Sequence, residues 1–328
     1  MKYYLETGQV DPAYNLAFEE YVLLHKKEGD ILMLWQNDNA VIIGRNQNTE
    51  EEINRPFVEA HGIKVVRRIT GGGAVYHDRG NLNYSFITDC GAFDHAALSA
   101  FTEPVVRALR SLGVQAEAKG RNDIVVNGCK VSGTAQRVQG GRILFHGTLL
   151  FDSDPEMIAG ALRADPEKFR SKSTKSVRSR VGNIRDFLPE KMTLEAFRKA
   201  LKKELLQGDF EEIFPGREEL EAIKSLKESK YDTWEWNFGA SPRFDRIMKK
   251  VCDGGILKTG VSVDRGGSIA AVSFRGDFMS RRDVSEIETA LTGCLYEKEA
   301  VKRILERFPL EEYFGSITAE EILESLFG

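Results

Sequence analysis

A chain of 328 residues exceeds what one compact core usually holds, so two domains are expected. Hydrophobic residues at 41% and charged residues at 29% describe a folded globular protein and exclude a disordered or fibrous one. A formal net charge of -4 gives no global basic field for nucleic acid, and no run reaches the roughly 18 apolar residues of a membrane span.

Met1 to Tyr14 lacks the basic-then-apolar pattern of a secretory signal, which points to a cytoplasmic location. Asp11-Pro12 reads as an N-cap followed by proline at the first helical position, and Tyr14, Ala17, Phe18, Tyr21 and Val22 recur at helical spacing. Ile31 to Trp35 and Ala40 to Gly44 are apolar runs on either side of the polar turn Gln36-Asn37-Asp38-Asn39, a pattern that predicts a hairpin. Further strands are expected at Lys64 to Arg68, Asn83 to Ile87, Asp123 to Val126 and Ile143 to Phe145, with a helix over Ala97 to Leu112. Strands in hairpins with helices between them indicate an α+β catalytic domain with a mixed or antiparallel sheet rather than a βαβ nucleotide fold.

After Asp152 the chain turns basic, through Arg163, Lys168, Arg170, Lys172, Lys175, Arg178 and Arg180, which on composition alone is a solvated surface. The stretch Asp232 to Gly239 is aromatic-rich without helical period, and Asp253-Gly254-Gly255 marks a break. A boundary near 245–255 follows, with domains 1–248 and 249–328. Beyond it Leu257 to Val263 and Ser268 to Phe274 form a hairpin pattern, Val284, Ile287 and Leu291 line one helix face, and Thr318 with Glu321 makes a capping box. The tail is a small α+β accessory unit. The four cysteines, Cys90, Cys129, Cys252 and Cys294, are far apart without a CxxC pair, so they read as free thiols rather than as a zinc or disulfide framework.

Two segments carry chemistry. Arg67-Arg68-Ile69-Thr70-Gly71-Gly72-Gly73-Ala74-Val75-Tyr76-His77-Asp78 places three glycines directly after a strand bearing two arginines. Glycine lets the backbone approach an anion and turn its amides toward it, while arginine pairs with phosphate or carboxylate. The P-loop spacing is absent, and glycine runs are also ordinary turns. In Asn122 to Ala135 the pair Asn127-Gly128 between apolar strands is a strong hairpin signal, which sets Lys130 on the second strand as a fixed point charge. Such a charge can hold a carboxylate beside an α-phosphate; standing alone, Lys130 reads as an exposed strand lysine. Asp123, opening the opposing strand, suits a magnesium ion shared with phosphate oxygens.

RRITGGGAVYHDRGNLNYSF, GRNDIVVNGCKVSG and HGTLLFD, in this order and spacing, resemble the three signature blocks of lipoate-protein ligases of the biotin/lipoate ligase superfamily. KSTKSVRSRVGNI and YDTWEWNFG resemble two more, so the resemblance covers essentially the whole chain. It implies an enzyme that activates lipoate with ATP and Mg²⁺ to lipoyl-AMP, releases pyrophosphate, and transfers the acyl group to a lysine of a carrier domain. The carriers are lipoyl domains of the E2 subunits of 2-oxoacid dehydrogenases or the glycine cleavage H protein.

By the same resemblance Arg68, Gly73, Ala74, Val75 and Tyr76 contact ATP and then the adenylate, and Lys130 contacts both lipoate and nucleotide. Arg68, Gly72, Gly73 and His146 border the acyl group, Arg45 lies at the margin, and Asp123 is the magnesium ligand. Lys175 to Val181, including Ser176, Val177 and Arg178, matches a loop that closes over the adenylate. A carboxylate is a poor acyl donor, whereas its anhydride with AMP leaves as a stable phosphate. The protein must therefore hold two anions together and exclude water, with no protein nucleophile.

An octanoyltransferase or lipoyl amidotransferase of the same superfamily would pass the acyl group through a cysteine thioester, and neither Cys129 nor Cys90 matches that nucleophile. A biotin ligase would carry an arginine-glycine repeat where this chain has RRITGGGAVYHD. A binding protein that has lost turnover fits poorly with the retained Arg68, glycines, Asp123 and Lys130. Lipoate and octanoate differ mainly in an apolar tail, which a greasy slot discriminates weakly.

Overall fold

The computed structural model describes residues 1–90, 98–120, 122–163, 181–239 and 246–327. Its strands in chain order are β1 (Lys2–Leu5), β2 (Asp30–Trp35), β3 (Ala40–Ile43), β4 (Lys64–Arg67), β5 (Val75–His77), β6 (Asn81–Asp89), β7 (Ala116–Lys119), β8 (Asp123–Val126), β9 (Cys129–Gln139), β10 (Arg142–Leu150), β11 (Glu211–Glu212), β12 (Arg246–Cys252), β13 (Gly255–Val263) and β14 (Ile269–Gly276). An eight-stranded sheet runs β11-β1-β2-β6-β10-β9-β8-β7. It is parallel where β1 meets β11 and β2, and antiparallel elsewhere. The α+β, mixed-sheet expectation is therefore met.

Strand alternation splits the core. Leu32 and Leu34 of β2 join Leu82, Tyr84, Phe145 and the helices Leu98–Ser111 and Leu194–Leu206 on one face of the large sheet. Ile31, Met33 and Trp35 join Ile87, Leu144 and the helix Pro12–His25 on the other. That helix is buried along most of its length, from Pro12 through Glu20 and at Val22 and Leu23. Asp11 occupies its N-cap as expected, although its side chain makes no cap hydrogen bond and pairs instead with Lys64 at 3.1 Å.

The predicted hairpin of β2 with β3 is corrected by the structure. β2 lies in the large sheet between β1 and β6, while β3 is the centre of a separate three-stranded sheet, β4-β3-β5. Burial gives the reason: Ile31 to Trp35 and Ala40 to Ile43 are buried at every position, which suits central strands of two layers better than a half-exposed ribbon. The small sheet stacks over the Trp35 face of the large one through Ile42 and Val66, and its far side, Val41, Ile43 and Tyr76, packs on the helices Arg55–Ala60 and Pro155–Ala161.

The C-terminal unit contains the antiparallel sheet β12-β13-β14. The expected β13/β14 hairpin is present, and Asp253-Gly254 turns β12 into β13. β12 contains the expected 248/249 junction. Ile287 and Leu291 are buried from the helix Ser285–Leu291, as is its N-cap residue Val284, and Thr318 and Glu321 exchange capping bonds at 2.8 and 3.2 Å.

Candidate functional site

Asn127 and Gly128 adopt φ of 50° and 80°, the left-handed pair that a two-residue hairpin requires, and so β8 and β9 form the tight ribbon expected. A register shift at Ile124/Val125 adds twist beside it. Lys130 Nζ lies 2.7 Å from Asp123 Oδ1, both side chains about one third exposed. The backbone of Lys130 is held as well, by Gly182 N donating to its carbonyl at 3.0 Å.

The glycine block makes a corner rather than an open cradle. Gly72 has φ of 87°, and a Cβ on Gly44 would lie 1.9 Å from the Gly72 carbonyl oxygen, so two backbones cross where side chains would not fit. Both arginines brace this corner. Arg68 is fully buried and donates from Nε to Thr70 Oγ1 at 2.9 Å, from Nη1 to Ile42 O at 3.1 Å, and from Nη2 to the Gly71 and Gly73 carbonyls at 2.6 and 2.9 Å. Arg67 donates to Gly44 O, Gln47 O, Thr49 Oγ1 and Trp236 O, tying the corner to the aromatic block Tyr231 to Gly239. Burial lowers each guanidinium to about 10, so both stay charged at neutral pH.

A small cavity of about 110 Å³ opens between the two sheets. Trp35, Asn83, Thr148 and Gly133 line it from the large sheet, and Ile42, Val75 and His77 from the small one, with Arg68 just past the end of β4. Gly73, Ala74, Lys130 and His146 complete the expected residues that border it. It adjoins a larger cavity of about 390 Å³, with which it shares Asn122 and Thr134; that cavity also takes in Asp123 and Met279 to Arg281 of the C-terminal unit.

Other expected residues sit elsewhere. Gly72 turns beside the cavity and donates its N–H to Phe278 O at 3.4 Å. Tyr76 alternates away, its ring buried with Val41 and Ile43 and its hydroxyl donating to Asn39 Oδ1 at 3.0 Å. Arg45 pairs with Asp283 and lies 4.6 Å over the Trp236 ring. Ser176, Val177 and Arg178 lie outside the described residues.

Sequence reasoning missed the polar chain behind the cavity. Trp35 Nε1 donates to Ser85 Oγ at 2.8 Å, Ser85 donates to Glu19 Oε1 at 2.6 Å, and Glu19 receives His146 Nδ1 at 2.9 and 3.0 Å. His146 Nε2 meets Thr70 Oγ1 at 2.8 Å, while on the other side the Glu19 carboxylate, which takes the Ser85 hydrogen, can only accept from Nδ1. His146 therefore carries its proton on Nδ1, toward Glu19. The available signal was Glu19 itself, an acid between Leu16 and Leu23 on a buried helix stripe.

Known proteins match this architecture along its whole length. Residues 11–206 fit the family model of the lipoyl protein ligase A/B catalytic domain, and residues 241–326 fit that of the bacterial lipoate protein ligase C-terminus. The chain is 45% identical over 322 residues to the lipoate-protein ligase LplJ of Bacillus subtilis, covering 97% of each, and 42% identical over 325 residues to lipoate-protein ligase 1 of Staphylococcus aureus, covering 98% of this chain and 99% of that one. Among solved structures it resembles a lipoate-protein ligase A bound with ATP at 31% identity and TM-score 0.64, over 73% of this chain and 99% of that one. It also resembles the archaeal bi-partite lipoate protein ligase from Thermoplasma acidophilum, solved in a study with its E2 lipoyl domain, at 34% identity and TM-score 0.65, over 75% and 98%. The chain belongs to the lipoate-protein ligase family.

Proposed function

We propose that the inter-sheet cavity receives lipoate, that the adjoining larger cavity receives ATP, and that the Lys130–Asp123 pair at their junction is where the two react. The pair carries this reading, because it sets an ammonium and a carboxylate 2.7 Å apart on a rigid hairpin at the junction of a narrow slot and a wider chamber. A carboxylate oxygen of lipoate attacks the α-phosphorus, and the bond to the departing pyrophosphate breaks. Lys130 offsets the repulsion between the two anions before the attack and the charge that accumulates during it. The carrier lysine then attacks the acyl carbon as a free amine, forming the amide and releasing AMP.

Arg68 acts on this reading through the backbone, holding the Gly71 and Gly73 carbonyls and so fixing the turn by which Gly73 borders the smaller cavity. Gly73, Ala74 and Val75, which border the smaller cavity, would meet the adenylate from its acyl side once it has formed, and Ser176 to Arg178 are proposed as further nucleotide contacts. Among the described residues no group of three or more His, Cys, Asp or Glu is arranged to hold a metal. Asp123 beside Asn122 instead suits Mg²⁺ bound through one carboxylate and the ATP phosphates, where it would neutralise phosphate charge. The carriers proposed are lipoyl domains of 2-oxoacid dehydrogenases and the glycine cleavage H protein, modified in the cytoplasm; among the described residues no helix is long and apolar enough to cross a membrane.

Pyrophosphate release measured with ATP and lipoate, followed by a mass shift on a lipoyl domain, tests the reading. Both should require ATP. Acyl transfer from an octanoylated carrier without ATP would overturn it in favour of the thioester route.

A further inference from the structure

The slot is not purely apolar. His77 is 3% exposed and lines the cavity, and its Nε2 has no protein hydrogen-bond partner among the described residues. Its tautomer is fixed by a chain that starts at the backbone. Asn15 Nδ2 donates to the Gln36 and Gln9 carbonyls at 2.7 and 3.3 Å, so the Asn37 oxygen that it also meets at 3.0 Å is an acceptor. The Asn37 amide nitrogen must then donate to His77 Nδ1, 3.0 Å away, which leaves the imidazole proton on Nε2. Burial above all, with the charge of Arg68 and the neighbouring His146, pushes the ring down to about 3 and keeps it neutral. Asn83, 2% exposed, adds an amide to the same wall: its oxygen accepts from Asn81 at 2.9 Å, and its nitrogen has no protein partner among the described residues.

These groups sit at a defined depth. Trp35, Asn83, Thr148, Gly133 and Asp123 form one row across the large sheet: Trp35 pairs Asn83, Asn83 pairs Thr148, Thr148 Oγ1 accepts from Gly133 N at 3.1 Å, and Gly133 pairs Asp123. Lys130 reaches over Gly133, where its Nζ would lie 3.1 Å from an added Cβ. From Gly133 to Asn83 is two strand spacings, roughly 10 Å, about the length of an extended octanoyl-sized chain. His77 belongs to the Trp35 end, because the Asn37 that holds it follows Trp35 by two residues.

We propose that His77 is a specificity-determining residue whose Nε2–H, assisted by the Asn83 amide, meets a sulfur of the dithiolane ring, so that the slot selects lipoate over acids of the same length that end in plain hydrocarbon. This rests on the reading that the cavity holds the acyl acid with its carboxylate at Lys130. A hydrocarbon end leaves a buried donor unpaired, which is costly, and a sulfur, though a weak acceptor, relieves part of that cost.

The test compares pyrophosphate release by the full chain with lipoate, octanoate and the carbocyclic analogue of lipoate that has a methylene in place of each sulfur. The wild type should prefer lipoate over the carbocycle by about ten-fold in kcat/KM, and His77→Phe should lose most of that preference. Equal rates for lipoate and carbocycle in the wild type overturn the inference without any variant. So does an unchanged preference in a folded His77→Phe. Lys130→Ala, assayed in parallel, separates the two levels: if it still releases pyrophosphate normally, the placement of the acid has failed, and if it does not, only the role of His77 is in question.

Discussion

Lys130 and Asp123 face each other at 2.7 Å across the β8/β9 ribbon, each about one third exposed. A pair this open contributes little to folding, about 0–1 kcal/mol, so its rigid placement matters for charge rather than stability. Lys130→Ala should therefore keep its unfolding midpoint while lipoate-dependent pyrophosphate release falls roughly 100-fold or more, the scale for losing a positioned stabiliser of developing charge. Near-normal release from this variant refutes the role.

Glu19 is the opposite case, a fully buried acid whose oxygens take bonds from Ser85 and His146. Removing one partner of such a network strands the others, at about 3–5 kcal/mol. Glu19→Ala should lower stability on that scale in urea unfolding, and Glu19→Gln, which keeps the volume and an acceptor, should lose less. Equal midpoints for the two variants would show that the volume and the acceptor that glutamine retains contribute nothing, and a Glu19→Gln midpoint equal to wild type would show that the charge contributes nothing.

Where local rules decide structure, the sequence was legible. Asn127-Gly128 dictates its own turn, and with it the projection of Lys130; Thr318 and Glu321 cap their helix as their spacing predicts. What stayed hidden depends on which layer an element joins. Nothing local states that Ile31 to Trp35 and Ala40 to Ile43 belong to different sheets, and the cavity exists only because they do. Arg68 was legible as a site residue, but the direction of its donors, inward to Ile42, Gly71 and Gly73, follows from how closely the Gly44 and Gly72 backbones cross.

His77 should also leave a pH signature. Its folded value of about 3 lies below the roughly 6.5 of an unfolded histidine, so between these values the unfolded chain binds a proton that the folded one refuses. This contribution is fully present above pH 6.5 and shrinks as pH falls, by up to about 1.4 kcal/mol per unit. The stability difference between the wild type and His77→Phe should change by about 2 kcal/mol between pH 7 and pH 5, to the detriment of the wild type at pH 5. A constant difference would show that the folded ring takes up a proton as readily as the unfolded one.

Cys129 precedes Lys130 in β9 and does not line the cavity, and Cys90 borders a separate crevice beside Arg137 and Arg281. Cys129→Ser and Cys90→Ser should each keep turnover within about two-fold, as expected when a half-buried thiol is not the nucleophile. A large loss in either, with trapping of an acyl thioester by mass spectrometry, would instead indicate covalent catalysis.

The C-terminal unit lies on the site. Gly72 N donates to Phe278 O at 3.4 Å, Gly276 N to Asn46 O at 2.8 Å, Asn46 Nδ2 to Ser280 Oγ at 3.0 Å, and Arg45 pairs with Asp283. Burial raises the proton affinity of Asp283, but Arg45, with Ser285, outweighs it and holds the carboxyl at about 2, so this tie is intact at neutral pH. Met279 to Arg281 close one side of the larger cavity. An arrangement that shields an adenylate from water also stands in the way of a carrier lysine, which gives the two half-reactions opposite requirements for this contact. Cysteines placed at Asn46 and Ser280 and joined by a short bifunctional thiol reagent should fix it. The locked protein should still release pyrophosphate with lipoate and ATP, while single-turnover transfer to a lipoyl domain falls by more than about ten-fold, as expected for a step gated by opening. Transfer at the same rate with and without the tether would show that the carrier lysine reaches the acyl carbon past a closed C-terminal unit.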